Sequence, residues 1–143
     1  MAEQNEGFSD AEKAAMKERA KELREAAKIE KNRAAGEKAI QDRIAEMPPA
    51  DRQLAEKLHA LVSAVAPDLI PRTWYGMPAY SRDGKALVFF QDAAKFEARY
   101  ATVGFNDNAA LDDGPLWPVS YAIVEWTDAV EKQLTALVKK ATS

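Results

Sequence analysis

Few side chains in this sequence could do chemistry near neutral pH. His59 is the single imidazole, the usual proton carrier in that range, and there is no cysteine at all. Disulfides, thiolate nucleophiles and cysteine-held zinc or iron–sulfur clusters are therefore excluded. His59 stands beside the Leu54, Leu58 and Leu61 stripe of a predicted helix, at the edge of its buried face, so it is expected to be a boundary histidine with no chemical role. A metal would have to be held by oxygen, and Asp107, Asp112 and Asp113 form the one loop cluster of carboxylates. Their spacing is not that of an EF-hand loop. The expectation is a solvated acidic loop, and the metal reading is weak binding of a hard cation such as Mg²⁺, Ca²⁺ or iron. No Gly-rich phosphate loop or dinucleotide fingerprint occurs, which excludes nucleotide binding by a standard motif. Nothing places two carboxylates together as an acid–base pair. An enzyme would have to work with carboxylates, tyrosine hydroxyls, lysines or a borrowed cofactor.

One segment stands apart from this sparse inventory. Trp74-Tyr75-Gly76-Met77-Pro78-Ala79-Tyr80 packs three aromatics, a glycine and a proline into seven residues. The proline disfavours the helical region at Met77, so the chain is expected to turn mainly at Gly76. Two readings stay open. The stretch is either a core corner filled by its aromatics, or one wall of a ligand pocket formed by Trp74, Tyr75, Gly76, Met77, Pro78 and Tyr80.

The elements that must position this bend follow from periodicity. Ser9 and Glu12 match a capping box, so a helix begins there and continues through an Ala-, Glu-, Lys- and Arg-rich stretch to Arg33. Its large apolar residues are only Met16, Leu23 and Ile29, a thin stripe. Gly36 is expected to break the pattern, and Ile40, Ile44 and Met47 then mark a short amphipathic helix ending at Pro48-Pro49. Leu54, Leu58, Leu61, Val62 and Val65 trace a core-facing helix that Pro67 stops.

Beyond it the period changes to that of strands. Thr73 to Tyr75, Lys85 to Gln91, the alternating run Phe96 to Val103 and Tyr121 to Trp126 read as strands, with a hairpin turn at Asp83-Gly84. The apolar run in Tyr121 to Trp126 suggests burial on most of both faces. Thr127 caps a last helix carrying Val130, Leu134, Leu137, Val138 and Ala141. The expected fold is α+β: a two-layer domain with a mainly antiparallel sheet of three to five strands, amphipathic helices on one face and an additional N-terminal helix. The expected organisation is a charged helical extension over 1–35 and an α+β domain over 36–143.

Composition narrows the function classes. The net charge is −3, with eight Lys/Arg against eight Asp/Glu in residues 1–35 and twelve against fifteen in the rest, so no basic arm awaits nucleic acid. No apolar run approaches the roughly 18 residues of a membrane-spanning helix, and the first residues lack the features of a signal peptide. The cytosol is the expected compartment, and the expected partner is a small ligand or a protein, not nucleic acid or a membrane.

The order of a Pro-ended helix (ALVSAVAPDLI), RTWYGMPAY and a DGK turn into ALVFF resembles the YdhG-like family, domain of unknown function 1801, over about residues 37–140. The most specific part is Tyr75-Gly76-Met77-Pro78-Ala79-Tyr80, with Phe89-Phe90 in the strand after the turn. The charged N-terminal stretch looks like an actinobacterial-type elaboration of that domain. The resemblance implies an α+β fold related to the YjbR/CyaY-like group, in which some relatives have been likened to frataxin-type iron handlers, and it brings no catalytic residues. An even mixture of both charge signs in the first helix does not match the acidic surface that iron handling uses.

Overall fold

The computed structural model describes residues 9–143, and the chain divides into two compact units, Met1–Ala34 and Ala35–Ser143. Helix α1 (Asp10–Ala45) supplies the described part of the first unit and the first helical segment of the second. At its start the Glu12 amide donates to Ser9 Oγ at 3.1 Å, and the Ser9 hydroxyl donates to Glu12 Oε1 at 3.2 Å, closing the predicted capping box. Within the first unit the stripe residues Met16, Leu23 and Ile29 are all exposed.

The second unit is α+β, as the periodicity requires. Helix α2 (Pro49–Val65) begins with Pro49 in its first turn and ends at Ala66, just before Pro67. Five strands follow in a meander, β1 (Ile70–Trp74), β2 (Met77–Arg82), β3 (Lys85–Gln91), β4 (Ala101–Phe105) and β5 (Ser120–Ile123), all antiparallel and in the order β1-β2-β3-β4-β5. Helix α3 (Asp128–Ala141) closes the chain, its first turn capped by the Val130 amide donating to Thr127 Oγ1 at 3.1 Å. Leu54, Leu58 and Val62 of α2, Leu134 and Val138 of α3, and Tyr80, Val88, Phe90 and Val103 of the sheet share one buried core. A bulge sets Val88 opposite Tyr80 and Ala86 opposite Ser81, so alternation lapses there and both Leu87 and Val88 are fully buried.

Three expectations need correction. Gly36 does not break a helix: it lies inside α1, where a Cβ would run into the backbone carbonyl of Pro71. It is a close-approach glycine that lets Ile40, Ile44 and Met47 reach the core. The alternation from Phe96 does not form a strand, because β4 begins only at Ala101. Residues 93–98 instead make a turn in which the Ala98 amide donates to Ala93 O at 3.0 Å, Glu97 takes a φ of 51°, and the Asp51 carboxylate accepts from the Ala94 amide at 3.0 Å. The last strand is Ser120–Ile123, shorter than Tyr121 to Trp126 and not buried on both faces. Only Ile123 of its residues is buried, and Val124 beyond it is exposed.

Candidate functional site

The bend from Trp74 to Tyr80 is a two-residue hairpin turn between β1 and β2, closed by the Trp74/Met77 pair. Its central residues, Tyr75 and Gly76, have φ of 51° and 75°, so both positions sit in the left-handed region. The second hairpin, through Asp83 and Gly84 with φ of 52° and 79°, repeats the arrangement with residues better suited to it. Gly76 tolerates the conformation; Tyr75 is strained by it, and is nevertheless 80% exposed.

The structure divides the predicted site into two groups. Met77, Pro78 and Tyr80 are buried, as members of β2. Trp74 and Tyr75 face outward, their rings edge to face at 4.9 Å between centroids, and the Trp74 ring lies 5.2 Å from that of Phe89. Arg72, Ala79, Phe89, Gly104 and Ser120 are successive partners across the strands, so they share one row of the sheet. Phe89 covers Gly104 closely enough that a Cβ there would meet the ring.

Trp74 forms one wall of an open depression of about 680 Å³ on the sheet. Its other walls are Arg72, Lys85 and the start of the loop after β4, Asn106, Asp107 and Asn108. The Arg72 guanidinium donates to Gly84 O at 3.2 Å and Thr73 O at 3.5 Å, and Asn106 Nδ2 donates to Ala86 O at 2.9 Å. Asn108 Oδ1 is buried without a hydrogen-bond partner. Sequence alone identified the bend and Asp107 separately; it gave no sign that they meet. A smaller apolar cleft of about 290 Å³ lies between β5 and α3, lined by Ile123, Leu134 and Leu137 among others, away from the bend.

The buried side of the bend carries an unpredicted hydrogen-bond chain. His59 Nε2 is 2.7 Å from Glu37 Oε1, and His59 Nδ1 is 2.8 Å from the Tyr80 hydroxyl. With Nε2 protonated, His59 donates to the carboxylate and Nδ1 accepts the phenol proton. Burial foremost, aided by the Glu37 charge, pushes Tyr80 ionisation well above its usual range. Burial alone would raise the Glu37 carboxyl, but hydrogen bonds from His59 and Gln41, with the His59 charge, outweigh it and lower the pKa below 4.5. At 2% exposure and bonded to His59, the phenol is not presented to solvent or to the depression. His59 lies at the edge of the buried face, as expected, and from there joins α1, α2 and β2 through its two ring nitrogens.

A second polar tie reaches the turn itself. Arg43 Nε donates to Gly76 O at 2.8 Å, while its Nη2 meets Asp92 Oδ2 at 2.7 Å. Asp92 is only 1% exposed, so this is a buried pair.

The acidic loop separates rather than gathers. Asp107 lines the depression, whereas Asp112 and Asp113 are exposed further along the loop. Among the described residues, no three His, Cys, Asp or Glu side chains converge in a way that could hold a metal ion. No described helix is long and apolar enough to cross a membrane. Comparison of the chain with protein-family models, curated proteins and solved structures found no match.

Proposed function

We propose that this chain is a non-enzymatic binding domain of the cytosol whose ligand site is the depression beside the Trp74–Tyr75 turn. The observation that carries the reading is Tyr75. A bulky side chain in the left-handed region costs about 1–3 kcal/mol, and a side chain 80% exposed, with only the edge contact to Trp74, recovers little of that by burial. Two asparagine-like positions would build the same turn without strain, as Asp83 and Gly84 do in the next hairpin. A strained, exposed aromatic set edge to face against a half-buried tryptophan that itself walls a concave surface is what contact with a ligand would require. The resemblance to the YdhG-like family over residues 37–140 centres on this same run and belongs to the same reading. The Glu37–His59–Tyr80 chain, buried at His59 and Tyr80, serves the architecture. Iron or other divalent-cation handling through Asp107, Asp112 and Asp113 has no converging ligand set among the described residues to support it.

The test is an NMR screen of the three indole N–H signals, Trp74, Trp117 and Trp126, against a metabolite library. Binding compounds are expected to shift Trp74 saturably and to leave Trp117 and Trp126 in place. A library in which no compound moves Trp74, or in which every binder moves only the other two, would overturn the proposal.

A further inference from the structure

The chemistry of the depression narrows the ligand. Its lining brings two cations, Arg72 and Lys85, together with one carboxylate, Asp107, so this surface is locally positive in a chain whose net charge is −3. Among the described residues neither cation forms an ion pair with a carboxylate. Carbonyls of Gly84 and Thr73 instead hold the Arg72 guanidinium in place, using two of its contacts and leaving N–H groups to donate elsewhere. Lys85 follows the same hairpin turn and is exposed. Two cations without a carboxylate partner, one of them held in place, around one concavity attract an anion.

The second feature is the indole. Trp74 is the single aromatic residue lining the depression, and contacts with Tyr75 and Phe89 fix its ring. A pre-oriented indole favours a planar, π-bearing partner over an aliphatic one. The third feature is the set of acceptors. Asn106 donates an amide N–H to Ala86 O and Asn108 one to Lys85 O, while the Asp107 carboxylate is exposed beside them. On that wall the exposed Asp107 carboxylate is the acceptor left for a ligand, and it would suit amino or hydroxyl groups on a ring or sugar.

We infer that the depression takes a small aromatic anion of the nucleoside-monophosphate kind, its ring against Trp74 and its anionic group between Arg72 and Lys85. This rests on the ligand-site reading above and adds the ligand class. The anion is held by side chains rather than by a glycine-rich loop at a helix N-terminus, consistent with the lack of any nucleotide-binding fingerprint in the sequence. Binding of this kind weakens as salt screens the two cations.

The experiment titrates the whole protein with adenosine monophosphate, adenosine, naphthalene-2-carboxylate and inorganic phosphate, following the Trp74 indole N–H and the backbone amides of Arg72 and Lys85. The monophosphate is expected to shift all three saturably and to bind about tenfold or more tighter than adenosine, as loss of a charge-assisted contact implies. Naphthalene-2-carboxylate separates the need for an aromatic anion from a need for phosphate itself. Lys85→Gln, at an exposed position, should erase the preference for the charged compound without altering adenosine binding; Arg72→Gln should do the same. Equal binding of adenosine and its monophosphate would overturn the anion assignment, and phosphate alone binding as tightly as the monophosphate would overturn the aromatic one, with the site standing in either case. Failure of both aromatic anions where some other compound moves Trp74 would refute the ligand class alone. Silence of Trp74 towards every compound would remove the class and the site together.

Discussion

Removing one oxygen atom, in Tyr80→Phe, isolates the buried hydrogen-bond chain from everything else in the core. The ring stays, so no cavity opens and no apolar burial is lost. What disappears is a 2.8 Å bond to His59 Nδ1 from a residue 2% exposed. A net buried hydrogen bond contributes about 0.5–1.5 kcal/mol, and a buried imidazole nitrogen left without a partner costs about 1–3 kcal/mol. The expected loss at neutral pH is therefore about 1–3 kcal/mol, read in urea as a midpoint lowered by roughly 1 M with an unchanged slope. Tyr75→Phe is the internal control and should lie within about 0.5 kcal/mol, since that side chain is exposed. The pH dependence supplies a second reading. Tyr80 ionises above its ordinary value near 10, so its contribution is present below about pH 10 and is lost as pH rises through and beyond that value. The wild type should lose stability on that alkaline limb more steeply than Tyr80→Phe. A variant as stable as wild type at neutral pH, with an identical alkaline limb, would refute the claim that the hydroxyl is buried and bonded.

Three further outcomes test the surrounding framework. Gly36→Ala should destabilise by about 2 kcal/mol or more in thermal or urea unfolding, although alanine is the better helix former by about 1 kcal/mol, because the new methyl group meets the fixed Pro71 carbonyl. Tyr75→Asn should stabilise by roughly 0.5 kcal/mol, strain relief exceeding the lost ring contact with Trp74, and a loss above about 1 kcal/mol would contradict the strain argument. Glu37 has its pKa lowered below 4.5, so its contribution is present above that pH and lost as pH falls through the folded value; Glu37→Gln should flatten this acid limb in pH-dependent unfolding.

What the sequence disclosed was local. The Asp83-Gly84 turn, the Thr127 cap and the stripes of α2 and α3 each depend on residues a few positions apart, and each occurs as the spacing implies. What it concealed depends on residues distant in sequence. Gly36 looks like a helix breaker until Pro71 is placed against it. The alternation after Phe96 is genuine, but the Asp51 carboxylate on α2 fixes a turn there by accepting from Ala94, and no pattern within the run reports that. His59 was correctly located at the edge of its stripe, yet Glu37 and Tyr80, its partners, belong to other elements. The bend was legible by its composition; the separation of its buried residues from its exposed ones was not, because β2 is buried without alternation from Met77 to Ser81 and only the position of the Trp74/Met77 pair marks where burial starts.

The strain at Tyr75 persists because its surroundings leave the turn no alternative. Antiparallel pairing fixes both strands up to Trp74 and Met77, so only Tyr75 and Gly76 remain to reverse the chain, and both favoured two-residue reversals with the twist of the sheet need φ above zero at the first of the two, the position Tyr75 occupies. The Gly76 carbonyl is then held from outside the hairpin by Arg43, whose guanidinium is itself anchored on the buried Asp92. Such a buried pair contributes little to stability by itself but is costly to break, and its value lies in permitting one arrangement only. Four residues further along, within β2, His59 fixes Tyr80. The turn is thus fastened at its carbonyl and along its buried strand, while Trp74 and Tyr75 are left outside those contacts. Rigid support beneath and exposed aromatic surface above is the division of labour that a preformed binding surface requires, and it comes from polar contacts that the hydrophobic pattern alone could not supply.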